Sequence, residues 1–138
     1  MEGRPLDRRP WRAMAMVLGL ALAGFGIFVF VSPRVFFEGL PDYYGAFNVH
    51  FVRDAGLSYL GSGGLFLAAS RARVWTVPLA LGGATWQGLH GLFHVQMLVT
   101  GMVPGDFVSL ELATVVVPSF VAVGVALAAL RDDGAGAA

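Results

Sequence analysis

The 138-residue sequence has no cysteine and no lysine, and only 13% of it is charged, with nine arginines against nine acidic residues. Without thiols there is no disulfide, no iron–sulfur cluster and no thiolate metal site, so a bound metal has to be held by nitrogen and oxygen. The charged fraction is about half the ~25% of ordinary soluble domains, too little polar surface to coat a water-soluble globule of this size. Also missing are a nucleophile motif and a glycine-rich phosphate loop between a strand and a helix, which argues against a stand-alone hydrolase or transferase. Arg4, Arg8, Arg9 and Arg12 form a short cluster with no basic stripe behind it, so nucleic acid is not an expected partner.

What the chain does have is apolar helix. Hydrophobic residues make up 57% of it and fall in four runs, at about 13–31, 47–70, 74–99 and 109–130. Each is long enough to cross a hydrocarbon core of ~30 Å at ~1.5 Å per residue. The first run exceeds the ~7–15-residue core of a signal peptide and no small-residue cleavage site follows it, so a retained anchor is expected. The expected fold is a single all-α domain, a membrane-embedded antiparallel four-helix bundle in contact with the lipid bilayer, ending in a flexible tail at 131–138. Positive residues stay on the cytoplasmic side of a membrane. Seven arginines (Arg4, Arg8, Arg9, Arg12, Arg71, Arg73 and Arg131) against two (Arg34 and Arg53) then put both termini in the cytoplasm.

Against this apolar background, polar side chains stand out. His50 with Asp54 and His90 with His94 are two pairs four residues apart, and residues so spaced share a helix face at about 5–6 Å between Cβ atoms. Folding the chain back at the Arg71-Ala72-Arg73 turn sets His50 level with His94 and Asp54 level with His90. Side chains lean toward their own helix N-terminus, so Asp54 and His94 are expected to meet most closely. Ionisable groups inside a membrane cost free energy and are candidates for function. Three imidazoles and a carboxylate suit a transition metal, and one histidine from each helix, His50 with His94, suits the axial positions of a b-type haem. A proton relay or quinone-binding cluster fits the same residues. So does a purely structural role, with Asn48, Arg53 and Asp54 forming a solvated helix cap and His90 bonding back to Trp86 or Gln87.

Glu111 lies about one turn beyond His94 when the third and fourth runs are folded back near residue 104 or 105, where it is expected to be an outer supporting partner of the cluster or an interfacial charge rather than a ligand. Pro118 is expected to kink the fourth helix, with the Thr114 hydroxyl compensating the freed carbonyl. Glycines on the second run (Gly56, Gly61, Gly63 and Gly64) and the third (Gly82, Gly83, Gly88 and Gly91) read as helix-packing positions, because small residues let backbones approach in lipid. Residues 32–47, with Phe36, Phe37, Tyr43, Tyr44 and Phe47, read as an interfacial belt and as a lid over the outward mouth of the bundle.

The stretch Asn48-Val49-His50-Phe51-Val52-Arg53-Asp54-Ala55-Gly56 resembles the Asn-x-His-Leu-x-Arg-Asp-x-Gly motif of a family of small, uncharacterised four-helix membrane proteins from high-GC bacteria, with Val49 and Phe51 in place of the usual Glu and Leu. His90 and Phe93-His94 match that family's His-rich third span. In size and topology the chain is also similar to the DoxX-like families, some of them linked to quinone redox chemistry. The resemblance implies a multi-pass protein of the bacterial inner (cytoplasmic) membrane and carries no activity with it. Two functions are therefore expected in competition. One is an intramembrane His/Asp cluster that binds a metal or haem or serves quinone-linked redox chemistry. The other is an accessory subunit of a membrane complex with no chemistry of its own. A quinone, another membrane protein and a second copy of the chain are the partners these readings admit.

Overall fold

The computed structural model describes residues 10–135, and every regular element among them is helical. Arg4, Arg8 and Arg9, which entered the orientation count, lie outside the described residues. The first long helix, α1 (Pro10–Val31), opens on a proline, whose missing N–H costs nothing at a helix start, and stops before the Ser32-Pro33 step. Pro33 begins a short helix, α2 (Pro33–Glu38), and a single tight turn follows at Asp42–Tyr44.

The second long helix, α3 (Val49–Arg71), begins at Asn48, whose side chain accepts the His50 and Phe51 amides at 3.0 and 3.2 Å. Asn48 thus satisfies two of the four backbone donors left over at a helix start. The reversal into α4 (Thr76–Val99) spans Ala72–Trp75 and runs through Trp75 in the left-handed region, φ 64°. This reversal is longer than the Arg71-Ala72-Arg73 turn read from the sequence, and the pairing of α3 with α4 slides accordingly. Tyr59 bonds His90, and Phe66 packs against Gly83.

Past Val99, Thr100 caps α4 and Gly101 turns left-handed at φ 72°. The Met102 amide then reaches back to the Met97 carbonyl and the Gly101 amide to Leu98. This double bond pattern closes a helix when a glycine follows the cap. From Gly105 the chain is helical to Ala135, through α5 (Val108–Glu111), a wide turn at Leu112–Val116 and α6 (Val117–Ala135). Residues 131–135, read as the start of a flexible tail, are therefore helical, and 136–138 lie outside the described residues.

Glycines set the closest contact. Gly19 and Gly26 on α1 are seven residues apart, as are Gly56 and Gly63 on α3, and the two pairs interlock. A methyl at Gly26 would stand 2.5 Å from the Leu60 amide nitrogen and 2.6 Å from the Gly56 carbonyl. One at Gly63 would stand 2.5 Å from the Ala23 nitrogen. Backbone packs on backbone here, which only glycine permits. Gly83 and Gly91 serve similarly against Phe66 and Ser119, whereas Gly61 and Gly64 face open space and do not pack as expected. Further contacts join α4 to α6 and α1 to α6.

At the end where α1 begins, Trp11 Nε1 donates to Asp132 Oδ2 at 2.9 Å and Arg12 to the Ser70 carbonyl at 3.1 Å. Between them lies an apolar core that includes Ala15, Phe66, Ala69, Ala80, Ala122 and Val125. Among the described residues two helices, Pro10–Val31 and Gly105–Asp133, are long and apolar enough to cross a membrane. The more polar α3 and α4 match them in length alone.

Candidate functional site

The other end of the molecule holds a chain of polar side chains drawn from four elements. His94 faces inward on α4 because it continues a buried stripe of Ala80, Gly83, Gln87 and Gly91 at three- and four-residue spacing. Glu111, the last residue of α5, meets it: His94 Nδ1 and Glu111 Oε1 share a hydrogen bond with both residues withdrawn from solvent, 3% and 2% exposed. A carboxylate and an imidazole so deeply buried together satisfy each other where water cannot.

Glu111 Oε2 is taken as well. The Tyr43 and Tyr44 hydroxyls both donate to it, at 3.0 and 2.8 Å, from the turn between α2 and α3. The two phenol rings stack at 4.7 Å, and Tyr43 leans on Phe107 at 5.5 Å. Burial raises the Tyr44 phenol above its ordinary pKa, and the Glu111 carboxylate raises it further. Tyr43 is raised too, first by burial, with its bond to Tyr44 acting the other way. Both phenols therefore stay protonated and keep donating.

One turn along α4 from His94 toward its start, His90 continues the array. Its ring meets that of His94 edge to face at 4.4 Å, stacks on Trp86 at 4.5 Å, and bonds the Tyr59 hydroxyl through Nε2 at 3.2 Å. Gln87 and Ser62 make a separate, satisfied pair below: Gln87 donates to the Ser62 hydroxyl, which donates to the Gly83 carbonyl. Beyond that level the apolar core closes the interior.

The residues expected to form one cluster therefore divide. His90 and His94 come together, and Glu111 is the direct partner of His94. His50 and Asp54 do not join them. Both are exposed on α3, on a stripe with Leu57 and Gly61, because the buried stripe of that helix runs through Val52, Gly56, Ser62 and Phe66. Asn48 is the helix cap already described, Arg53 lies over the Phe30 ring at 5.5 Å, and Gln87 bonds Ser62 rather than His90. Among the described residues no three His, Asp or Glu side chains stand in position to hold one metal ion.

No family model, curated protein or solved structure matches this chain. Function has to be argued from the site itself.

The sequence reading leaves out Tyr59, gives Trp86 a backbone bond to His90 in place of the ring stack, and gives Tyr43 and Tyr44 a place in a lid without a bonding partner. Tyr59 was within reach, since it lies three residues from both Gly56 and Ser62 on the packed face of α3. With Nδ1 of His94 bonded to Glu111, Nε2 carries no hydrogen bond among the described residues and is placed to accept a proton or to ligate. The arrangement can pass a proton between the phenols, Glu111 and His94, and it has a second donor–acceptor pair, His90 and Tyr59, one ring contact deeper.

Proposed function

We propose that the protein is an antiparallel four-helix bundle of the bacterial inner membrane, both termini cytoplasmic, whose buried polar chain is a one-sided proton relay serving a quinone-type hydrogen carrier in the bilayer. The observation that carries this reading is the Tyr44–Glu111–His94 connection. It gives a buried carboxylate–imidazole pair a hydroxyl route toward the loop end, while the Phe66 and alanine core seals the opposite side.

Membrane embedding is supported by where the apolar surface lies. Only 22% of the most apolar stretch of α1, and 33% of that in Gly105–Asp133, is buried inside the molecule, so most of it faces outward. Exposed Phe25, Ile27, Phe28, Leu89, Leu92 and Phe93 extend that face over α1 and α4. A patch this size needs lipid or protein to cover it. A relay that enters from the outer side and stops part-way exchanges protons with a lipid-soluble carrier and does not conduct them across. Electrons from such a carrier would pass to a partner membrane protein.

Trp86, stacked on His90, reports binding directly. In a variant with Trp11 and Trp75 replaced by Phe, a short-chain quinone is expected to quench Trp86 fluorescence saturably. The Glu111→Gln and His94→Gln changes should weaken that binding about tenfold, about 1.4 kcal/mol. Quenching that is linear in quinone and equal in all variants rejects the proposal.

One observation favours a second reading. A histidine whose Nδ1 is held by a carboxylate is oriented as metal-ligating histidines are, with Nε2 presented. Metal analysis and a visible spectrum of the detergent-purified protein, beside His94→Ala, test whether a transition metal or haem b uses it. Cofactor retained by the wild type and lost from His94→Ala supports this reading, and equal, negligible content in both removes it.

A further inference from the structure

The last helix is irregular at one place. Glu111, Val116, Ser119, Ala122, Val125, Ala126 and Ala129 are its buried positions toward the core, with Val125 and Ala126 side by side on that face. Through either of those two, the spacing is three or four throughout, as one face of an α-helix requires, except for the five residues between Glu111 and Val116. In that interval the chain forms a wide turn, Leu112–Val116, closed by the Val117 amide on the Leu112 carbonyl, five residues back. The turn inserts one residue into the helix without changing the face on either side of it.

The consequence for Glu111 is geometric. Counting back from Val116 by four, or from Ser119 by seven, an uninterrupted α-helix brings Leu112 to the inward position. One residue corresponds to about 100° of rotation. Leu112 is instead 41% exposed and Leu110 46%, while Glu111 between them is 2% exposed. Pro118 explains why the helix opens here. It has no N–H, and its ring crowds the carbonyl four residues back. The Thr114 hydroxyl bonds the Leu110 carbonyl at 2.8 Å, within the same irregular stretch. That differs from the expected compensation at the carbonyl freed by Pro118.

We infer that the wide turn Leu112–Val116 is the positioning device of the site, a one-residue register shift that carries Glu111 in place of Leu112 onto His94. Wide turns of this kind recur at functional sites. The inference rests on the His94–Glu111 pair as the working centre. It adds that the extra residue accommodated among Ala113, Thr114 and Pro118, all exposed and none hydrogen-bonded to His94, sets the register in which the pair forms.

The test uses the full chain, purified in detergent and 15N-labelled at histidine, with His94 assigned by its loss in His94→Gln. Glu111→Gln defines the unpaired His94 ring-nitrogen signal. Deleting Ala113 together with Pro118→Ala removes the extra residue and the proline, leaving an ordinary helix in which Glu111 and the former Val116 are four apart. This variant is expected to keep the wild-type His94 signal. The exchange Glu111→Leu with Leu112→Glu keeps the composition but puts the carboxylate on the outward position, and is expected to match Glu111→Gln.

A deletion variant that matches Glu111→Gln, or an exchange variant that keeps the wild-type signal, overturns the inference and leaves the pair standing. Failure of the deletion variant to fold overturns it as well, because all the buried positions would have been preserved. If Glu111→Gln itself leaves His94 unchanged, the pair and the register inference fall together. Quinone quenching is a separate measurement, so its failure is told apart from either result.

Discussion

Tyr44 on the turn before α3 and Glu111 at the end of α5, 67 residues apart, are joined hydroxyl to carboxylate at 2.8 Å. With Tyr43 on the same oxygen, this bond ties a partly exposed connection to the most deeply buried acid among the described residues. Hydrogen bonds to charged partners contribute about 1.5–3 kcal/mol each. Tyr43→Phe and Tyr44→Phe are each expected to speed amide hydrogen exchange across residues 41–47 by about tenfold or more, and the double change to exceed either. Unchanged exchange in the double variant means that the loop is held by its aromatic packing alone.

The raised phenol pKa values predict how this tie responds to alkali. In the unfolded chain a tyrosine ionises near 10, and in the folded chain Tyr44 and Tyr43 ionise above that. The stability they contribute is thus fully present below pH ~10 and is lost as pH rises through the higher folded values. Phenolate absorbance should show a late-titrating component in the wild type that is absent from Tyr44→Phe, with loop exchange accelerating over the same pH range. Ionisation of Tyr44 at an ordinary tyrosine pKa contradicts this.

His50 and Asp54 separate the structure from the sequence reading. Both are exposed, so His50→Gln and Asp54→Asn are expected to leave quinone quenching of Trp86 within about twofold of wild type, less than ~0.4 kcal/mol. Glu111→Gln on the same background should weaken it about tenfold. A loss in Asp54→Asn as large as that in Glu111→Gln would restore the four-residue cluster.

Gly26 and Gly24, two residues apart on α1, make a matched pair of tests. Alanine at Gly26 drives a methyl into the α3 backbone at 2.5 Å, whereas at Gly24 it meets nothing within 4 Å. Gly26→Ala is expected to lower stability by about 1–3 kcal/mol, and Gly24→Ala to leave it unchanged or raise it by up to ~1 kcal/mol through helix propensity. Thermal unfolding in detergent measures both.

Much of the fold was legible because helix length and helix ends follow local rules. Asn48 as a cap and the four apolar runs act within a few residues or follow from composition along one run. The site was less legible, for three physical reasons. The α3–α4 reversal takes in Val74 and Trp75, and pairing Tyr59 with His90 shifts the register by about one helical turn. The stripe Val52, Gly56, Ser62 and Phe66 was readable and leaves His50 and Asp54 outside it, but pairing by depth alone ignores which way a side chain points around its helix. The wide turn after Glu111 leaves no periodic trace, and Pro118 is the only local residue that hints at it.

The apolar core beneath the polar chain has an electrical consequence in the proposed orientation. Along α4, His94 and His90 lie about 8 and 14 Å from the end at Val99, at ~1.5 Å per residue, on a helix of 24 residues. In the proposed orientation a proton reaching them from outside crosses only part of the transmembrane field, and the alanine-lined half drops the remainder. A full crossing is worth ~2.3 kcal/mol per 100 mV, so a charge brought from outside as far as these rings would work against only a fraction of that. The site would then report the energised state of the membrane without discharging it.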